Sequence, residues 1–219
     1  WLGEVPEHWE VVPLGLLCNY YSYGFTNPMP STDDGPLMVT AADIMHGHVQ
    51  VDSARRTSWQ AFNELLTAKS RPQSSDVLVT KDGTLGRVAL APQEPHCINQ
   101  SVALFRLHAD KSTPDFIQRV LESEPAQAKM QLDAGGTGIR HIYITRLSKQ
   151  KMPVPPLAEQ HAIADYLDKE TARIDALIKE AEETITLMQE HRSALISACV
   201  TGKVKVPGVA DPTAEEQAV

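Results

Sequence analysis

The sequence has little of what stabilises a secreted protein or carries one through a membrane. Its three cysteines are too few and too scattered for a disulfide framework, and no C-x-x-C or His/Cys cluster indicates zinc. No apolar run approaches the roughly 18 residues that a transmembrane helix needs, and no signal peptide is visible. These absences favour a soluble protein of the reducing cytoplasm. The chain begins at Trp1 rather than methionine, which leaves open whether residues precede it.

Sequence motifs for catalysis are absent as well. Pro155 and Pro156 lie between a valine and a leucine, so they do not form the Asn/Asp-Pro-Pro-aromatic motif of a methyltransferase. The glycines at 135–138 lack the Lys-Ser/Thr of a P-loop, and no G-x-S-x-G elbow occurs. His46 and His48 could bind a metal from one turn, but a solvated pair of loop side chains is the simpler interpretation. The residues therefore favour a protein without chemistry of its own.

The chain is organised around one long stretch without proline or glycine. After Pro156 neither residue occurs before Gly202, which predicts a helix of roughly 45 residues, about 65 Å long at 1.5 Å per residue. Apolar positions alternate spacings of four and three, with breaks at Thr171 and Arg192, which predicts a coiled-coil stripe. The predicted apolar stripe consists of Leu167, Ile174, Ile178, Ala181, Ile185, Met188 and Leu195.

Such a stripe needs a covering surface. The rest of the chain has no helix of comparable length to pair with it, so we expect a partner helix from this chain or another. The alternative is a helix that lies along a large globular core.

Residues 1–152 have the pattern of a compact domain. The run D-V-L-V-T-K-D-G-T-L-G-R-V-A-L-A at 76–91 predicts a hairpin that turns at Lys81–Thr84, because an Asp-Gly pair suits positive φ. Ser58 and Thr113 each precede a predicted helix, the second with proline at its first position. Strands are predicted at 37–40, 49–51 and 97–107, and helices at 59–68, 114–123 and 125–132.

The predicted fold class is therefore α+β. A mixed-sheet domain covers 1–152, a single long coiled-coil helix covers 153–201, and a flexible acidic tail covers 202–219.

Charge is unevenly distributed along the chain. The net charge is −8, which by itself argues against nucleic acid as a partner. Residues 157–219 hold 6 basic and 12 acidic side chains, whereas residues 69–151 hold 12 basic and 8 acidic ones. Because local charge decides which surface can face phosphate, the middle of the domain remains a candidate for nucleic-acid binding.

Several segments resemble one half of a type I restriction–modification specificity subunit. They are W-L-G-E-V-P-E-H-W-E-V at 1–11, D-V-L-V-T-K-D-G-T-L-G-R-V-A-L at 76–90, I-N-Q-S-V-A-L-F-R at 98–106 and P-V-P-P-L-A-E-Q-H-A-I-A-D-Y-L-D at 153–168. The ending L-I-S-A-C-V-T-G-K-V-K-V at 195–206 also resembles the close of a family helix. The most specific are the last two, since P-P-L-x-E-Q-x-x-I-A before a long heptad helix is a distinctive combination.

The resemblance implies a plan of two target-recognition domains, each followed by a long helix, with the two helices paired antiparallel. Each domain reads one part of a split DNA sequence. This chain has one domain and one helix, so it is either a half-subunit that pairs with a second copy or a fragment of a longer chain. A homodimer would imply a palindromic split site.

The resemblance also implies a chain that is not an enzyme. Its expected partners are double-stranded DNA, modification (methyltransferase) subunits and restriction subunits. S-adenosylmethionine, ATP and Mg are expected on those partner subunits only, so no cofactor or metal is expected here. Two alternatives stay open: a coiled-coil adaptor that does not contact DNA, and a degraded or partial catalytic domain.

DNA-contacting residues are expected on loops within the basic stretch. Lys and Arg suit guanine and phosphate, while Asn and Gln suit adenine. The hairpin supplies Thr80, Lys81, Thr84 and Arg87, and the glycine loop supplies Thr137, Arg140 and His141. Weaker candidates are Tyr21, Tyr23, Lys69, Asn99 and Gln100.

Each candidate also has a structural interpretation. The amides at 99 and 100 could connect strands, Arg87 could form an ion pair, and the tyrosines could pack in the core. We expect Lys81→Ala and Arg140→Ala to weaken DNA binding with little change in folding.

Overall fold

The computed structural model describes residues 2–45, 47–135, 140–204 and 206–208. The chain divides into two compact units, Trp1–Tyr166 and Leu167–Val219. This division falls inside the long helix rather than at 152, so the predicted domain boundaries stay predictions. Most of the predicted acidic tail lies outside the described residues.

The first unit combines short strands with short helices. Its strands are β1 (Glu10–Pro13), β2 (Cys18–Tyr23), β3 (Thr32–Val39), β4 (Val77–Thr80), β5 (Val88–Leu90), β6 (His96–Ile98), β7 (Val102–Leu107) and β8 (Lys151–Val154). Its helices are α1 (Trp59–Leu65), α2 (Pro114–Glu122), α3 (Glu124–Asp133) and α4 (Ile144–Leu147), with 3₁₀ turns at Leu14–Leu16 and Ala68–Ser70. Helix α5 (Leu157–Val200) begins in this unit and continues into the second.

The central sheet has four antiparallel strands in the order β2-β7-β4-β5. Alternate residues of a strand face opposite sides, and both sides of this sheet are covered. Val77 and Phe105 face one core cluster, which also contains side chains of α2 and α3. Leu78 and Leu104 face a second cluster, which contains β3 and β6. Double-sided burial explains why β4 is a continuous apolar run rather than an alternating one.

Two smaller pairs complete the sheet structure. Strands β3 and β6 pair in parallel, with Leu37 opposite His96. Strands β1 and β8 pair antiparallel, with Glu10 opposite Val154, so the N-terminal segment lies beside the strand that leads into α5. The domain therefore contains both antiparallel and parallel pairing, in three separate sheets among the described residues.

Local predictions were correct where short-range chemistry decides the structure. The side chains of Ser58 and Thr113 accept hydrogen bonds from backbone N–H groups three residues ahead, as predicted for helix N-caps. The predicted strand at 97–107 is wrong in one respect, because a turn at Asn99 divides it into β6 and β7. The predicted strand at 49–51 is also wrong; only an isolated bridge, Ile44 to Val49, forms there.

Gln160 explains part of the P-P-L-x-E-Q motif. Its side chain is fully buried and makes four hydrogen bonds, three of them to residues 111–113. The amide oxygen accepts from the Ser112 hydroxyl (3.0 Å) and the Thr113 N–H (2.9 Å). The amide nitrogen donates to the carbonyl oxygens of Lys111 (3.0 Å) and Pro155 (2.9 Å). Gln160 therefore joins the first turn of α5 to the segment that precedes α2.

Glu159 makes the complementary connection to the N-terminal segment. One carboxylate oxygen accepts from the Trp9 indole nitrogen and the other from His8 Nε2, both at 2.9 Å. The hydrogen bond from His8, together with that from Trp9, lowers the pKa of Glu159. The motif thus fixes the start of α5 against two distant parts of the domain.

In the second unit, α5 continues to Val200 without interruption, as predicted. Along the described part of the chain, no helix is both long and apolar enough to cross a bilayer.

Candidate nucleic-acid interface

The β4–β5 hairpin carries the first group of candidate residues. Its strands pair antiparallel from Val77 and Leu90 inward, which confirms the predicted hairpin. The connection is longer than the predicted four-residue turn, because the Thr80 N–H donates to the Arg87 carbonyl (2.9 Å) at its base. The hairpin loop therefore comprises residues 81–86.

Side chains of helix α3 support the hairpin loop. Gly83 and Gly86 both have positive φ, at 74° and 81°. Glycine is favoured at Gly86 by its positive φ, and a Cβ atom there would also lie 2.8 Å from the side-chain oxygen of Gln127, which would have to shift. The Gln127 amide donates to the Gly86 carbonyl (2.7 Å), and the Gln131 amide donates to that of Leu85 (3.4 Å). These contacts give the loop a defined conformation.

Lys81 is not the exposed loop-tip residue that the sequence predicted. Its side chain is only 7% exposed. Its N–H donates to the Ser101 carbonyl (2.8 Å), and its carbonyl accepts from the Ile142 N–H (2.9 Å). Its ammonium donates to Asp82 (2.9 Å) and lies 5.1 Å from the Tyr23 ring centroid. Because the ammonium is paired and nearly buried, Lys81 positions its neighbours in this structure.

Asp82 joins the hairpin loop to the segment that begins at Arg140. Its second carboxylate oxygen accepts a hydrogen bond from Nδ1 of His141, and the two residues also form an isolated antiparallel bridge. Burial acts to raise the pKa of Asp82, but the hydrogen bonds from His141 and Lys81 outweigh it and lower this pKa. The carboxylate is therefore ionised at neutral pH and holds two cationic or polar partners.

Exposed aromatic and basic side chains lie around this connection. The Tyr23 ring is 40% exposed and has the Lys69 ammonium 5.8 Å from its centroid. The His141 ring meets the Tyr143 ring edge to face at 4.6 Å, and Tyr143 is 61% exposed. Tyr143 is not among the predicted residues, although an aromatic residue three positions after Arg140 in a basic stretch is a signal that the sequence contains. We call Tyr23, Lys69, Arg140, His141 and Tyr143 the loop surface.

The two arginines among the candidates differ in their surroundings. Arg87 donates to the Ile44 carbonyl (3.1 Å) and lies 3.3 Å from the Met45 sulfur, so it connects the hairpin to a neighbouring loop. Arg140 is exposed and donates to the side-chain and backbone oxygens of Gln131, at 2.7 and 2.6 Å. Of the two, Arg140 can exchange its present partners for a ligand at little structural cost.

The remaining candidates separate into structural and exposed positions. Thr80 is fully buried, and its hydroxyl donates to the Thr84 carbonyl, so in this structure it stabilises the hairpin loop. Asn99 uses its amide oxygen to close the turn between β6 and β7, which is its structural interpretation. Thr84 and Gln100 are exposed. Thr137 lies outside the described residues.

The two buried cysteines in the described part of the chain, Cys18 and Cys97, are not activated as nucleophiles. Burial raises the pKa of the Cys18 and Cys97 thiols to about 12, so neither is a thiolate at neutral pH. Among the described residues, no group of three or more His, Cys, Asp or Glu side chains could hold a metal ion. His46 lies outside those residues.

The predicted apolar stripe is exposed within the second unit. The large apolar side chains of the stripe from Ile174 to Leu195 are between 48% and 66% exposed. The same helix exposes Leu177, Leu187 and Ile196. A row of this length leaves substantial apolar area in contact with water, which is typical of an interaction surface.

The architecture matches solved structures from type I restriction–modification systems. The HsdS subunit from Thermoanaerobacter tengcongensis aligns with a TM-score of 0.66 at 22% identity, covering 93% of this chain and 47% of that one. A structure titled for complex assembly and conformational transition of the type I R-M system aligns with a TM-score of 0.70 at 21% identity, covering 90% and 47%. This likeness confirms the predicted α+β fold with a long C-terminal helix.

The sequence then identifies the family. The family model described as the type I restriction modification DNA specificity domain matches residues 6–187, and the chain belongs to this family, as predicted. The EcoBI specificity subunit of Escherichia coli is 22% identical over 205 residues, or 91% of this chain and 43% of the relative. The MjaVIII specificity subunit of Methanocaldococcus jannaschii is 23% identical over 215 residues, or 94% and 48%. The chain spans about half the length of the curated relatives it matches.

Proposed function

We propose that this chain is a DNA-sequence specificity component of a type I restriction–modification system and binds one half of a split target site. The observation that carries the proposal is the family match over the domain and most of the helix. The loop surface supports it, because it brings exposed aromatic and basic side chains from three separate segments together.

The loop surface has suitable chemistry for double-stranded DNA. Arg140 can donate two parallel hydrogen bonds to a guanine edge or a phosphate, and His141 can contact a base edge. The Lys69 ammonium is exposed and suits phosphate. Asp82 bonds to His141, and the Lys81 ammonium lies near the Tyr23 ring, so both are positioning residues for the loop surface. The proposed division is therefore between residues that contact DNA and residues that place them.

The apolar stripe of α5 is proposed to pair with a second long helix. That helix comes either from a second copy of the chain or from another half of a longer subunit. Pairing of two copies would be symmetric, and the preferred DNA would then be palindromic about its centre.

Modification and restriction subunits are the proposed protein partners, with S-adenosylmethionine, ATP and Mg bound by those subunits and not by this chain. The named relatives are specificity subunits, which agrees with a non-catalytic role. The proposed place of action is the cytoplasm.

Binding by the assembled complex tests this function. The complete specificity subunit, assembled with its modification subunits, is expected to select one split sequence from a random DNA pool. Arg140→Ala should weaken binding to that sequence by about 1–3 kcal/mol, because a bidentate contact is lost. The matched control is Arg55→Ala, which removes an exposed arginine outside the loop surface. A complex that assembles but selects no sequence would favour the coiled-coil adaptor instead.

A further inference from the structure

A basic depression lies beside α3, away from the residues that the sequence singled out. It has a volume of about 300 Å³ and is formed by the second half of α3, by α4 and by the start of β8. Its lining consists of Lys129, Asp133, Arg146, Lys149, Gln150 and Lys151. Four of the six lining side chains are cationic and one is acidic, so the depression carries a net positive charge in a chain whose total charge is −8.

The single carboxylate neutralises only part of this charge. Asp133 accepts from the Lys129 ammonium at 2.5 Å, and Arg146 lies 3.9 Å from its other oxygen. Arg146 is 60% exposed at the side chain, and Lys149 and Lys151 are exposed. Among the described residues, neither of those two lysines has an acidic partner within 4 Å. Three cations therefore face solvent with little internal compensation.

The base of the depression is fixed by packing. Gln150 is 4% exposed, and its side-chain amide donates to the Ala126 carbonyl at 3.4 Å. Leu147 and Met152 on either side are buried in the main core cluster. Because the backbone between Leu147 and Met152 is held by the core, the backbone positions of Lys149 and Lys151 are fixed. Only the side chains of these two lysines can move.

The depression and the loop surface are connected by one short segment of the chain. His141 contacts the hairpin loop, and Arg146, five positions later, lines the depression. Five residues span at most about 18 Å, and less here because α4 is helical. That distance corresponds to about five base-pair steps of 3.4 Å. Helix α3 separates the two sites, with Gln131 facing the hairpin loop and Lys129 facing the depression.

We propose that the basic depression binds phosphates of the DNA backbone a few base pairs from the bases that the loop surface contacts. The proposal rests on the proposed function and adds a second contact site to it. Ammonium and guanidinium groups attract phosphate without distinguishing bases, so this site contributes affinity and orientation rather than sequence choice. Lys149, Lys151 and Arg146 make the contacts.

The salt dependence of binding by the assembled complex tests the depression. Lys149→Gln with Arg146→Gln is expected to lower the slope of log Kd against log salt concentration by about two, because each lost phosphate contact removes about 0.9. The preference for the target over a scrambled sequence should stay unchanged. The control is Arg55→Gln with Lys203→Gln, which removes the same charge at exposed positions outside the depression and should leave the slope as in the parent.

The possible outcomes separate the two proposals. An unchanged slope in a parent-like complex that still selects its target would overturn the phosphate site and leave the proposed function standing. A fall in sequence preference without a change in slope would also overturn it. A parental complex with no sequence preference would overturn the proposed function and the phosphate site together.

Discussion

Single side chains in this domain hold distant segments together before any ligand is bound. Asp82 and His141 are 59 positions apart in the sequence and meet through a hydrogen bond, while Lys81 pairs with the same carboxylate. The position of the loop surface therefore depends on the ionised side chain of Asp82, which is only partly exposed. Its protonation should affect both the stability of the domain and the placement of His141.

Replacing Asp82 tests this dependence. The pKa of Asp82 is lowered in the folded state, so its contribution is present above the ordinary carboxyl pKa near 3.9 and is lost as pH falls through the folded value. Asp82→Asn should lower the free energy of unfolding by about 1 kcal/mol at pH 7, a modest value because the pair is partly exposed. The difference from the parent should shrink below about pH 4.

Urea denaturation at pH 7 and at about pH 3.5 provides the measurement. Asp52→Asn, at an exposed carboxylate, is the control and should change stability by less than about 0.5 kcal/mol. An equal loss at both pH values would show that the charge of Asp82 is not responsible.

The two ends of α5 depend on different interactions. Its first turn is fixed by Glu159 and Gln160, which bond to residues far away in the sequence. Its later turns, in the second unit, expose an apolar row. Because isolated helices in water are only marginally stable, we expect the later part to depend on a partner helix.

Gln160→Leu tests the connection at the first turn. Leucine has a similar size but leaves two donors and two acceptors around it without partners in a buried site. We expect the free energy of unfolding to fall by about 2–4 kcal/mol, measured by chemical denaturation. Gln189→Leu, at an exposed position of the same helix, should change it by less than about 0.5 kcal/mol. Similar effects for both variants would contradict the assigned role of Gln160.

Ile178→Asp tests the pairing of the apolar stripe. A carboxylate in a helix–helix interface would be buried without a partner, so association should be lost. Thr186→Asp adds the same charge to the exposed flank of the helix and should leave association intact. Sedimentation velocity distinguishes the two, and an identical oligomer for Ile178→Asp and the parent would count against pairing through this stripe.

Sequence patterns predicted those elements whose causes are local. The hairpin follows from its Asp-Gly turn, the N-caps from Ser58 and Thr113, and α5 from the absence of proline and glycine. The environment of Lys81 could not be predicted in this way, because its burial depends on Tyr23 and Asp82 converging in three dimensions. The basic depression was missed for the same reason, since its cations come from three separate elements.

Across the chain, some residues fix the positions of other residues, and others are exposed and can contact partner molecules. The sheet and its two core clusters hold the hairpin loop and the segment from Arg140 to Leu147 in fixed positions. The loop surface, the basic depression and the apolar stripe remain exposed. In the proposed function, the loop surface contacts bases, the basic depression binds phosphates and the apolar stripe pairs with a partner helix.

Genome-wide mapping of methylated bases, in source cells with and without the gene, tests whether this chain selects the DNA sequence that is methylated. Deletion of the gene should abolish methylation at one split sequence, and the intact chain should restore it. An unchanged methylation map after deletion, in cells that express the modification subunits, would show that this chain does not select the sequence.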